Sequence, residues 1–116
     1  MELSGPAKRL TVFIGESDTY RHHSLAHELV QRAHAAGLAG VTVFRGIEGY
    51  GASNHLHTTR LLSLSDDLPL CIVIVDRSDA IEAFAGQLEE LVGGGLVIVE
   101  DVEVLRYTPH GDEEGT

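Results

Sequence analysis

Two glycine clusters hold the residues best placed to do chemistry. Gly46, Gly49 and Gly51 fall within six positions, directly after the apolar run Val41 to Phe44. Gly93, Gly94 and Gly95 directly precede a second run, Leu96 to Val99. Glycine lets other groups approach the backbone closely and tolerates φ > 0. Loops of this kind at strand ends can cradle an anion with backbone N–H groups, so an anion or a nucleotide is the natural candidate ligand. The same spacing also suits tight turns between core elements. Histidine offers a second chemistry. His23 and His27 stand four apart and would share a helix face, as two metal ligands can. His22 lies beside them, and no third ligand is identifiable nearby. His55 and His57 follow the first glycine cluster, and His57 is placed to contact a ligand or to satisfy a backbone carbonyl. No serine lies in a nucleophile-elbow pattern, and no Walker lysine follows either cluster. Asp66-Asp67 precedes Leu-Pro and reads as turn chemistry. No catalytic residue is assigned.

These residues need a scaffold, and 116 residues suffice for one domain. The chain is 43% apolar, which argues for a packed core over disorder. With no tryptophan, Leu, Val, Ile and Ala must fill that core. Eighteen acidic residues against eight basic ones give a charge of −10, which disfavours nucleic acid and anionic lipid as partners. The single cysteine, Cys71, sits in an apolar run and reads as a buried small hydrophobe. This cysteine usage fits a reducing cytoplasm. The first residues lack the pattern of a secretory signal, and no apolar run approaches about 18 residues.

Residues 1–7 read as a disordered tail. Lys8 to Gly15 alternates apolar and polar residues as a strand does. A polar turn, Glu16 to Thr19, supplies capping side chains for a helix over about Tyr20 to Ala36, ended by Gly37. Strands follow over Gly40 to Gly46, a short Thr59 to Leu64, and the β-branched run Leu70 to Val75. Asp79 with Glu82 makes a capping box for a second helix, about 79–92. A last strand runs from Leu96 to about Tyr107, before an acidic, disordered tail over 109–116. The order is βαββαβ, the ferredoxin-like α+β pattern, an antiparallel sheet with two helices on one face. Apolar residues fall on both sides of the strands while helices cover only one. The open face therefore predicts oligomerisation.

Several motifs across residues 8–108 resemble the PII-like signalling proteins. They are similar above all to the PII-like family catalogued as domain of unknown function number 190. The resemblance rests on Phe13-Ile14-Gly15-Glu16, Gly37-Leu38-Ala39-Gly40-Val41-Thr42-Val43, Arg45-Gly46-Ile47-Glu48-Gly49-Tyr50-Gly51, His57-Thr58, Ser65-Asp66-Asp67-Leu68-Pro69 and Val99-Glu100-Asp101-Val102. It implies a homotrimer with ligand clefts between subunits, where PII-like proteins often bind adenine nucleotides. It also implies a partner protein. Genes of the closer family often lie beside fluoride-channel genes, which points to a membrane ion transporter.

Carried over residue by residue, the resemblance places Thr42 near a nucleotide base. It puts Gly49, Tyr50 and Gly51 at the base of a signalling loop shorter than that of PII, with Gly46 and His57 beside the ligand. Gly93, Gly94 and Gly95 match the phosphate-side loop, and Arg106 the first of two C-terminal arginines. Leu96 stands where PII has a lysine, and Thr108 where PII has its second arginine. Each missing cation removes a charge-assisted contact of about 1.5–3 kcal/mol. A mono- or diphosphate such as AMP or ADP therefore fits better than a triphosphate. The expected function is regulation of a partner by a bound nucleotide, with no cofactor. Two alternatives are a small enzyme acting on a nucleotide or small acid, and a metal-binding ion-tolerance protein using the histidines.

Overall fold

The structure is a computed structural model, and it describes residues 2–50, 57–58 and 67–109. Ten elements follow in chain order: β1 (Leu3–Gly15), β2 (Thr19–Tyr20), β3 (His23–Ser24), α1 (Leu25–Ala35), β4 (Val41–Arg45), β5 (Glu48–Gly49), β6 (His57–Thr58), β7 (Pro69–Asp76), α2 (Ser78–Leu91) and β8 (Leu96–Tyr107). Four of them form one antiparallel sheet in the order β4-β7-β1-β8. This is the expected ferredoxin-like arrangement, with each helix crossing between non-adjacent strands.

The strand pattern divides cleanly between two faces. Register places Leu10 beside Ile74 and Val99, and Val12 beside Ile72 and Val97. Leu10, Val12, Ile72 and Ile74 are buried against Leu25, Leu29 and Ala33 of α1 and Ile81, Phe84, Leu88 and Leu91 of α2. Burying such a side chain contributes about 1.5–3 kcal/mol. The i, i+3, i+4 spacing of those helix residues makes one apolar stripe on each helix.

The opposite face carries two more rows: Thr42, Val73, Thr11 and Ile98, then Phe44, Cys71, Phe13 and Leu96. Thr11, in the middle of the first row, is buried, but the second row is largely open. Phe44 is 57% exposed, Leu96 53% and Phe13 39%. Cys71 is half-buried here, and not deep in the core as its apolar neighbours predict.

Four local departures from the sequence reading have physical causes. The first strand begins at Leu3, so residues 3–7 are no tail. They pair with the far half of β8, and Leu3 and Ala7 are buried. The first helix begins at Leu25, not Tyr20. Asp18 turns its carboxylate back to the Gly15 N–H at 3.0 Å and does not cap the helix. Ser24 does so instead, accepting from the His27 N–H at 3.2 Å. Thr19, Tyr20, His23 and Ser24 pair as a small hairpin, with Arg21 and His22 at positive φ in its turn. At the second helix, Arg77 occupies the cap position with no side-chain bond, and Asp79 lies inside the first turn. The predicted strand over 59–64 and the tail over 110–116 lie outside the described residues.

The end of α1 follows expectation. The Gly37 N–H donates to the His34 carbonyl and the Leu38 N–H to that of Ala33, the paired bonds of a Schellman stop. Asp76, buried at the end of β7, then accepts from the Ala39 N–H at 2.8 Å and the Arg77 N–H at 2.7 Å. One carboxylate thus ties the α1–β4 connection to the start of α2.

Candidate functional site: a cleft at the glycine end of the sheet

A cleft of about 760 Å³ opens where β1 ends, β7 begins and β8 begins. Gly93, Gly94 and Gly95 form one wall and Tyr50 another, so two of the predicted segments do meet. Phe13 and Leu96 supply apolar floor, and both also belong to the open sheet face. The volume is in the range of small-molecule sites.

The three loop glycines differ in kind. Gly95 has φ +135°, and a Cβ there would lie 2.5 Å from the Phe13 carbonyl oxygen. The fold itself demands glycine at this position. A Cβ on Gly93 or Gly94 would meet nothing within 4 Å. Those two leave open space beside the cleft, as a ligand-facing loop would. Gly46 is structural in the same sense as Gly95. Its N–H donates to the Pro69 carbonyl at 2.7 Å, and a Cβ would lie 2.7 Å from Pro69 Cγ. Because Pro69 lines the cleft, Gly46 seats that wall without touching the cavity.

Polar groups in the cleft come from residues the sequence reading treated as turn chemistry. Asp67 accepts from the Ser17 N–H at 2.6 Å, and the Glu16 N–H donates to the Leu68 carbonyl at 2.8 Å. These bonds join the Phe13–Glu16 motif to the Ser65–Pro69 motif. Asp18 and Asp67 both line the cavity, and their carboxylates flank Gly15 so closely that a side chain there would collide with Asp67. Arg45 is held away by an ion pair with Glu16 at 2.9 Å. Among the described lining residues there are two carboxylates and no lysine or arginine. Asp67 stood in the Ser65–Pro69 motif and Asp18 in the polar turn Glu16–Thr19, where turn and capping propensity explain them without the cavity.

The remaining predicted residues do not converge on this cleft. Gly49 pairs through its backbone with His57, which places the loop base beside Tyr50. Gly51 lies outside the described residues. Thr42 sits on the open face of the edge strand β4. Arg106 is further off still. The Tyr107 hydroxyl donates to the Ala39 carbonyl at 2.8 Å, and Ala39 is bonded to Asp76 at the far end of β7. Pro69, at the cleft, begins that strand, so roughly 20 Å of β7 separates Arg106 from its own cleft. His23 and His27 are also separated by structure. His23 is in the hairpin and His27 in α1, so the helical i, i+4 geometry does not form. Among the described residues no three His, Cys, Asp or Glu side chains group as a metal site would require. No described helix is long and apolar enough to cross a membrane.

An antiparallel β4-β7-β1-β8 sheet with two helices on one face is a ferredoxin-like fold, which the chain shares with solved PII-like proteins. The sequence pattern of the DUF190 family, described as uncharacterized ACR, matches residues 7–104, and the chain belongs to that family. A UPF0166 protein of Aquifex aeolicus is 37% identical over 100 residues, covering 84% of this chain and 92% of its own. Among solved structures, the CPII protein of Thiomonas intermedia K12, bound to ADP and bicarbonate, aligns with a TM-score of 0.57. It is 23% identical and covers 85% of this chain and 88% of its own. CutA of Synechococcus elongatus PCC7942, complexed with Bis-Tris, aligns at 0.58 with 10% identity, over 97% and 94% of the two chains.

Proposed function

We propose that this protein is a PII-like regulator that binds an adenine nucleotide, AMP or ADP, in clefts between the subunits of a homotrimer. The observation that carries the reading is the cleft itself. It is walled by Gly93, Gly94 and Tyr50, and it shares Phe13 and Leu96 with an uncovered apolar sheet face. A second copy packed on that face would also close the cleft. Among the described residues the cleft walls hold carboxylates and no cation, and this favours a phosphate partner supplied by a neighbouring subunit. Arg106, too far from its own cleft, is free to serve a neighbour's, and Thr42 on the open face is placed likewise. His57, paired at the loop base, would orient the ligand. That a protein of this fold binds ADP supports the ligand class.

The output is a change of contact with a partner, not a chemical step. Tyr50 is 64% exposed and Ile47 74%, both at the base of the loop, where a bound ligand can alter their presentation. The resemblance points to a membrane ion transporter, a fluoride channel among them, and so to a cytoplasmic regulator. The test is a thermal-shift screen with AMP, ADP, ATP and cyclic nucleotides, paired with product analysis. A nucleotide at about 100 times its Kd adds about 2.7 kcal/mol. A shift without consumption is expected. No shift at millimolar concentration would remove the nucleotide, and steady turnover would replace the regulator with an enzyme.

A further inference from the structure

We propose that Asp18 and Asp67 hold the ribose of the bound nucleotide: their unused oxygens accept from its 2′ and 3′ hydroxyls and select ribonucleotides over their deoxy counterparts. This role rests on the nucleotide reading, and it fixes which end of the ligand this subunit holds. Each carboxylate divides its two oxygens between the fold and the cavity. Asp18 Oδ2 accepts from the Gly15 N–H at 3.0 Å, and Asp67 Oδ1 from the Ser17 N–H at 2.6 Å. Those bonds orient both side chains. The other two oxygens, Asp18 Oδ1 and Asp67 Oδ2, converge on the point where a Gly15 Cβ would stand, the first at 3.3 Å from it and the second closer. Glycine at position 15 leaves that point open. Among the described residues neither oxygen receives a hydrogen bond, and no lysine or arginine lines the cavity beside them.

What the pair can take follows from its chemistry. An ionised carboxylate only accepts hydrogen bonds, so the group it meets must donate. An ionised phosphate brings acceptors and like charge, and the pair repels it. In an adenine nucleotide the donors are the base amine and the ribose hydroxyls. The amine stands beside the acceptor N7, whose lone pair would oppose a second carboxylate. The ribose presents two adjacent hydroxyls, each a donor, and so matches two converging oxygens one to one. Hydrogen bonds from hydroxyls to carboxylates are short and strong. The cavity suits this placement. Its volume of about 760 Å³ accepts a nucleoside, and Tyr50, Phe13 and Leu96 give apolar surface for the base. The phosphates are then left to the side of Gly93 and Gly94, where a Cβ would meet nothing within 4 Å.

Calorimetric titration in EDTA with ADP and with 2′,3′-dideoxy-ADP tests the role, on wild type, Asp18→Asn and Asp67→Asn. Asparagine keeps an oxygen for the Gly15 or Ser17 amide, so each variant should retain wild-type circular dichroism. Wild type should bind ADP at least about 10-fold more tightly than the dideoxy nucleotide. Each variant should lose most of that preference, with its affinity for the dideoxy nucleotide within about twofold of wild type. The wild-type ratio stands whether or not a variant folds. A wild type that binds both nucleotides equally overturns the ribose role and leaves the nucleotide reading standing. Variants that weaken both nucleotides equally also overturn it, since the carboxylates would then only shape the cleft. ADP binding that requires magnesium gives the carboxylates to a cation and overturns it as well. No ADP binding with or without magnesium overturns the nucleotide reading too.

Discussion

At the residue scale, the structure separates a glycine that the fold demands, Gly95, from two that it does not, Gly93 and Gly94. Gly95→Ala should lower stability by about 1–3 kcal/mol, because the methyl meets the Phe13 carbonyl and φ is positive. Gly94→Ala should leave the denaturation midpoint within about 0.5 kcal/mol of wild type, because it meets open space. If chemical denaturation gives the two variants equal midpoints, the assignment of roles is wrong. The sequence shows three adjacent glycines and cannot rank them. Their ranking depends on how close Phe13 comes, and Phe13 lies 82 positions before Gly95. Asp18 and Asp67 were missed as cleft residues for a similar reason. Asp18 makes a local bond with the Gly15 amide and Asp67 a long-range one with the Ser17 amide, and only the tertiary pairing of their two turns reveals the cavity above them.

At the scale of elements, alternation and helical spacing were legible. The strands Val41–Arg45, Pro69–Asp76 and Leu96–Tyr107 and the second helix fall where those periods place them. Boundaries were less legible where several polar residues compete for one role. Between Glu16 and Ser24, four side chains can cap a helix, and which one does so depends on what the others bond. Ser24→Ala should therefore destabilise by about 1 kcal/mol, whereas removal of a true cap at Thr19 would be required by the longer helix. Equal urea midpoints for Ser24→Ala and wild type would return the cap to the earlier residues. The strand over Leu3–Ala7 was hidden by Gly5 and Pro6, which read as loop residues. They are tolerated because that stretch is paired on one edge only. Asp76→Ala removes the acceptor that joins two connections through the Ala39 and Arg77 amides. It should cost about 2–3 kcal/mol, and hydrogen exchange at both amides should rise together.

At the scale of the whole molecule, the account turns on the uncovered sheet face. Apolar residues on both sides of the strands were visible in the sequence, and so was the shortage of helices to cover them. The path of the last strand, and with it the separation of Arg106 from its own cleft, was not, because strand periodicity carries no information about where a strand leads. Phe44→Asp places a charge beside Cys71, at the edge of the row that runs on to Phe13 and Leu96, without disturbing the helix-side core. It should yield a folded monomer by light scattering and abolish nucleotide binding at the same time. A folded monomer that still binds would locate the whole site within one subunit.

The central claim is that the nucleotide site is shared, with its phosphate cation delivered from a neighbour. Calorimetric titration of ADP into wild type and into Arg106→Ala tests it most directly. Wild type should show saturable binding of up to one ADP per chain. Arg106→Ala should remain trimeric and bind at least 10-fold more weakly, from a lost charge-assisted contact of about 1.5–3 kcal/mol. Equal affinities for the two proteins, or no heat of binding in the wild type, would contradict the account.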